Sequence, residues 1–152
     1  MSETQFDIDL VRLDNIVITH ASIDNDEALS ILDKNKYIFD IKHSFKFGVS
    51  LDSNRIRVTF SCSVTTKEKD TGRDLKVSAK FDIAYFFVVD NLNDLITAEQ
   101  DTDTGLVLSI CNIAYSTSRG IIFTRCQGTI LKYLMLPILS TDRMIEMFNS
   151  QE

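Results

Sequence analysis

Residues 55–65 read RIRVTFSCSVT, with Ile56, Val58, Phe60, Cys62 and Val64 on one side of a strict alternation and Arg57, Thr59, Ser61 and Ser63 on the other. Successive side chains of an extended chain point to opposite faces, so a period of two marks a strand buried on one face only. The same pattern precedes it from Tyr37 to Val49, where Tyr37, Phe39, Ile41, Phe45, Phe47 and Val49 alternate with residues such as Asp40, Lys42, Ser44 and Lys46. It follows again from Leu75 to Val89 through Leu75, Val77, Ala79, Phe81, Ile83 and Tyr85. The links at 50–54 and 67–73 are short and polar, which makes the three strands antiparallel neighbours. Toward the N-terminus the alternation runs Phe6, Ile8, Leu10, loses phase over Val11 to Asp14 and resumes at Ile16 and Ile18. A one-residue slip exchanges faces, so a bulge near Arg12 is expected in a fourth strand. The stretch from Asp24 to Lys36, with Ala28, Leu29, Ile31 and Leu32 among charges, reads as a helical turn or a crossover loop.

After Val89 the period changes. Leu106, Val107, Ile110, Cys111, Ile113, Ala114, Ile121, Ile122 and Cys126 recur at three-and-four spacing, which predicts a helix of about six turns. Asp103 or Thr104 would cap its start and Gly128 would stop it. Its apolar positions lie on more than one face, so it is buried on more than one side: against the sheet, and either against a second subunit or within a crowded core. Residues 130–138 are nearly all apolar and hold Pro137; Ser140 then caps a short amphipathic helix carrying Met144, Ile145, Met147 and Phe148. The expected class is α+β: a single domain over residues 1–152, with a four-stranded antiparallel sheet packed by one long and one short C-terminal helix.

Composition bounds the function. With 152 residues, 44% of them hydrophobic and only six Gly or Pro, the chain suits one compact core rather than a disordered or repetitive polymer. The net charge of −6 argues against generic affinity for nucleic acid or anionic lipid. The charge is uneven: −7 over residues 1–33, +5 over 34–89, −5 over 90–104 and +1 over 105–152. MSETQFDIDL is not a leader, and no apolar run approaches the length of a membrane span, so the cytoplasm is the expected location and no membrane insertion is foreseen. Cys62, Cys111 and Cys126 are odd in number and form no C-x-x-C pair, which suits reduced, buried thiols.

Catalytic chemistry finds no pattern. His20 and His43 sit in strand alternations without metal-ligand spacing, no G-x-S-x-G elbow is present, and GIIFTRCQGT at 120–129 lacks the Gly-Lys-Ser/Thr of a phosphate loop. The carboxylates at Asp24 to Glu27 and Glu99 to Asp103 match no calcium loop. No cofactor, metal or catalytic residue is expected, and an enzyme would need a polar pocket around His20 or His43. The surplus is apolar: ten Phe, four Tyr and four Met, three of the Met in the last 18 residues. Such side chains serve adaptable binding surfaces and core lids alike.

The run from Cys111-Asn112-Ile113 to Arg119, then Gly128-Thr129, then Leu136-Pro137-Ile138 before a short helix resembles the ending of the SecB family of export chaperones. The phrase NIAYSTSRGIIFTRCQGTILKYLMLPILS carries most of the likeness. What the resemblance implies is an ATP-independent holdase, a homotetramer built as a dimer of dimers, that keeps unfolded or precursor proteins export-competent in extended apolar grooves and passes them to the SecA motor. By position Tyr37 and Ile130 match groove residues, with Leu134, Leu136, Ile138 and Phe148 as further candidates. The long helix would build the tetramer centre through Cys111, Ala114, Tyr115 and Ser118. The family's acidic SecA-facing positions correspond here to Asn15, Thr19 and Lys80, and the polar tail is reduced to Asn149–Glu152. A SecB-like chaperone dedicated to a toxin–antitoxin client is the alternative, and a non-catalytic assembly module for a folded partner is another.

Overall fold

The computed structural model describes residues 6–96 and 102–149. Four long strands, β1 (Val11–Asn25), β2 (Tyr37–Ser50), β3 (Arg55–Glu68) and β4 (Asp74–Val89), are followed by a long helix α1 (Thr104–Cys126) and a short one, α2 (Thr141–Asn149). All strands pair antiparallel in the order β1-β4-β3-β2. The crossover between β1 and β2 therefore carries the chain from one edge of the sheet to the other; Asp24 and Asn25 end β1, and residues 26–36 are the crossover loop rather than a helical turn.

The alternation fixes which face is buried. Ile56, Val58, Phe60, Cys62 and Val64 of β3, with Val77, Phe81, Ile83, Tyr85 and Phe87 of β4, are fully covered by α1 and the C-terminal segment. The opposite faces of β2, β3 and β4 carry Lys46, Arg57 and Lys80 toward solvent. β1 differs from expectation: Ile8–Leu10 form a single 3-10 turn and the strand starts at Val11. Its register slips twice, at Asp14, within the stretch where the alternation loses phase, and at Thr19, which the alternation did not mark. Each extra residue has a partner in the sheet: Asp14 pairs with Arg55 at 3.0 Å and the Thr19 hydroxyl donates to the Asp82 carbonyl at 3.1 Å. Asn54, in the left-handed region at φ 52°, closes the β2–β3 turn, a conformation that asparagine tolerates.

Helix α1 begins as its sequence dictates. Asp103 caps it, its carboxylate accepting from the Leu106 amide at 3.0 Å. Gly128, at φ 75°, turns the chain away beyond its end. By length and composition α1 is enough to cross a membrane, which corrects the expectation that no apolar run approaches a span; here it lies along the sheet with one side buried. A buried bond between the hydroxyls of Tyr85 and Ser118, 2.6 Å apart, joins it to the middle of β4. Ser140 caps α2, accepting from the Arg143 amide at 3.3 Å.

Candidate functional site

The segment between the helices is an irregular strap: it turns over residues 130–133, where the Leu134 amide donates to the Leu131 carbonyl at 2.9 Å, and then runs on over 134–140. Thr129 receives the chain from Gly128, donating its hydroxyl to the Cys126 carbonyl at 2.7 Å and accepting from the Leu131 amide at 3.1 Å. Beyond it, Leu131, Leu134 and Leu136 point into the core while Tyr133, Met135 and Ile138 point out, Met135 60% and Ile138 83% exposed. Two donors from α1 hold the strap's backbone: the Tyr115 hydroxyl donates to the Pro137 carbonyl at 2.7 Å and the Arg119 Nε to the Leu136 carbonyl at 3.0 Å. The strap is thus fixed as a rail with one apolar side turned to solvent.

Facing its first half is the β1–β2 crossover loop. Asn25 shapes it, exchanging two bonds with the backbone of Leu29, at 2.7 and 3.0 Å. Leu32 sinks into the core and Ile31 is left 75% exposed. Between loop and strap lies an open hollow of about 580 Å³, lined by Ile23, Leu29, Ile31 and Leu32 on one side and by Thr129 and Ile130 on the other. Lys132 and Lys34 flank the Tyr133 ring, their ammonium groups 5.0 and 5.9 Å from its centre. Tyr37 is buried nearby, packed edge-on against Phe39 at 5.1 Å. Burial, with the neighbouring Tyr133 and Asp33, raises its phenol above the usual range.

The placements divide the sequence-predicted groove residues. Ile130 and Ile138 reach the surface of the strap, and Tyr37 is buried close to Tyr133 and Asp33. Leu134 and Leu136 are corrected: both are fully buried and belong to the core, because alternate side chains of the strap turn inward there. Phe148 lies outside the residues whose side chains are described. Tyr133, Met135 and Ile31 are exposed on the same surface, although none was among the groove residues assigned by position. The four expected oligomer contacts are likewise corrected. Cys111, Ala114, Tyr115 and Ser118 are buried within one protomer, where Tyr115 stacks near His43 and Phe60 at 5.7 and 5.6 Å. Both faces of α1 looked apolar, and these residues occupy the one that meets its own sheet. The side turned outward carries Asn112, Ser116 and Gly120, with Phe123 beyond them.

The two histidines have different surroundings. His43 is half-buried between aromatic rings, and burial, reinforced by Arg143, lowers its pKa. His20 lies on the far face of the sheet, its Nε2 3.1 Å from the Ser22 hydroxyl. Among the described residues no group of His, Cys, Asp or Glu could hold a metal ion. What the arrangement can do chemically is bury apolar side chains of another molecule.

This architecture, a four-stranded antiparallel sheet followed by one long and one short helix, is the SecB-like chaperone fold. Among the solved structures that it resembles is a Mycobacterium tuberculosis SecB-like chaperone determined in complex with a ChAD peptide from the HigA1 antitoxin; the two superpose with a TM-score of 0.63 over 87% of this chain and 91% of that one, at 16% sequence identity. No protein-family model matches the sequence, and no curated protein matches it.

Proposed function

We propose that the chain is an ATP-independent holdase that keeps a non-native polypeptide from aggregating, and that its client is a dedicated antitoxin-type partner rather than the general pool of export precursors. The observation that carries this reading is the strap: Tyr133, Met135 and Ile138 stand outward in a row beside the hollow that Ile31 and Ile130 line. An extended client meets such a rail with several separate apolar contacts, each fully covered side chain contributing about 1.5–3 kcal/mol. The antitoxin peptide bound by the structurally similar chaperone supports the dedicated form.

The same reading makes the protein a cytoplasmic homotetramer, a dimer of dimers without catalytic activity. β1 is a 15-residue edge strand exposing Leu13, Ile16 and Val17, which an associating copy would cover. The small residues on the outward side of α1 suit close packing of a second helix. Asn15, Thr19 and Lys80 offer no carboxylate where the SecB family meets SecA, so hand-over through that surface is not expected.

The test mixes the purified protein with a chemically unfolded model client and, separately, with antitoxin-derived peptides, following light scattering and particle mass. Suppressed aggregation with a heavier particle is the expected outcome. Tight binding of a folded partner with no protection of unfolded chains would replace this reading by an assembly module.

A further inference from the structure

The face of the sheet turned away from the helices carries a second hollow, and its chemistry is the reverse of the molecule's. About 710 Å³ in volume, it lies across β2, β3 and β4, with Lys46, Arg57 and Lys80 on its walls and the hydroxyls of Ser44, Thr59 and Ser61 between them. Strand register makes this a built array: Lys46 stands opposite Thr59, Gly48 opposite Arg57, and Lys80 opposite Ser63, which itself pairs with Lys42. Gly48 leaves the space above Arg57 open, since a side chain there would meet only the Arg57 Cβ at 4.0 Å.

Neighbouring cations are already matched, Arg55 with Asp14 at 3.0 Å and Lys67 with Asp40 at 3.7 Å. Lys42, Lys46, Arg57 and Lys80 make no ion pair with any described residue; Arg57 instead lies over the Phe86 ring at 5.6 Å. Asp82 is the carboxylate within the hollow, and it leaves the three wall cations in excess. A chain of net charge −6 has thus gathered unpaired positive charge on one concave face, beside hydroxyl donors. Such a face attracts and orients carboxylates.

We infer that this outer sheet face is a docking site for a short acidic stretch of another polypeptide, distinct from the hollow beside the strap and independent of whether the strap holds clients. A short peptide fits better than a nucleic acid. The three wall cations less Asp82 match only a few carboxylates, which a short peptide can present between uncharged residues, whereas a nucleic acid carries a charge at every phosphate and would continue over a chain of net charge −6.

The experiment titrates the full chain with a fluorescent ten-residue polyglutamate peptide at low ionic strength, with polylysine and a ten-nucleotide single strand of DNA beside it. Saturable polyglutamate binding that weakens with added salt is expected, with no binding of polylysine. Reversal in Lys46→Glu/Lys80→Glu should cost at least about tenfold in affinity. The Lys46→Arg/Lys80→Arg pair should retain binding, and circular dichroism should show both variants folded. Suppression of client aggregation by the reversed variant should stay at the parent level; joint loss of both activities would overturn the assignment of a separate face. Absent binding, binding indifferent to charge reversal, or DNA binding as tight as the peptide's would each overturn the proposal.

Discussion

The hydroxyls of Tyr85 and Ser118 meet at 2.6 Å in the interior, the one on β4, an inner strand of the sheet, and the other in the second half of the helix that covers it. Both residues are fully buried, so neither hydroxyl has water to replace the other. Substituting Ser118→Ala or Tyr85→Phe alone leaves one group unsatisfied and should destabilise by about 1–3 kcal/mol. The double variant should lose less than the sum of the two, a coupling that urea unfolding of the four proteins would measure.

The strap separates binding from stability by alternate positions. Ile138→Asp or Met135→Asp should abolish suppression of client aggregation while leaving the unfolding midpoint within about 0.5 kcal/mol of the parent, as exposed sites allow. Leu136→Asp should instead unfold the chain, because it places a charge in the core. Light scattering paired with thermal melts distinguishes the two; retained suppression in the Ile138 variant would remove the strap from the client site.

Helix α1 gives a test of assembly. A Cβ at Gly120 would meet nothing within the protomer, so Gly120→Ala should raise the stability of an isolated subunit by about 1 kcal/mol through helix propensity. If a second subunit packs there, Gly120→Leu should split the oligomer, seen by sedimentation velocity. Ala114→Asp should destroy the fold rather than the assembly, since Ala114 is sealed against its own sheet.

Thiol chemistry should report the core. Burial pushes Cys62 and Cys111 up to about 12 and Cys126 up to about 11, so none forms thiolate at neutral pH. A thiol reagent at about pH 8 should label the native protein at least about a hundredfold more slowly than the urea-unfolded chain. Rapid labelling of any of the three in native conditions would contradict that packing.

His43 sets an acid limit. Its pKa is lowered from 6.5 because burial and Arg143 disfavour the charged ring, so the unfolded chain takes up this proton first as pH falls. Stability is then fully present above about pH 6.5 and declines below it until the folded-state value is passed. His43→Gln should flatten that part of a melting-temperature profile.

Most of the fold was legible because its signals are local. The alternation in Ile56–Val64 and Leu75–Val89 belongs to strands with one sealed face, and Asp103 and Gly128 mark helix ends by their own chemistry. β1 was less legible: its edge position leaves Ile16 and Val17 exposed on a strand whose bulges answer to Arg55 and Asp82, partners distant in sequence. The strap defeated the reading for another reason. Apart from Lys132, residues 130–138 are all apolar or aromatic and carry little contrast between inside and outside, while the bonds from Tyr115 and Arg119 that fix the strap's backbone come from distant positions. Choosing Cys111, Ala114, Tyr115 and Ser118 as interface failed similarly, since an apolar stripe does not say which neighbour it meets.

The strand order has a consequence for biosynthesis. Within its own sheet β1 pairs with β4 alone, Val11 with Val89 and Asn25 with Val77, so the first of the four strands made waits for the last. At ribosomal speeds the 64 residues between Asn25 and Val89 take roughly 3 to 13 s to emerge. During that interval Ile16, Val17 and Ile18 stay without their ladder, next to a nascent β2–β3 hairpin that offers a wrong edge. The early acidic residues, eight among the first 33, keep that waiting segment soluble until its proper neighbour arrives.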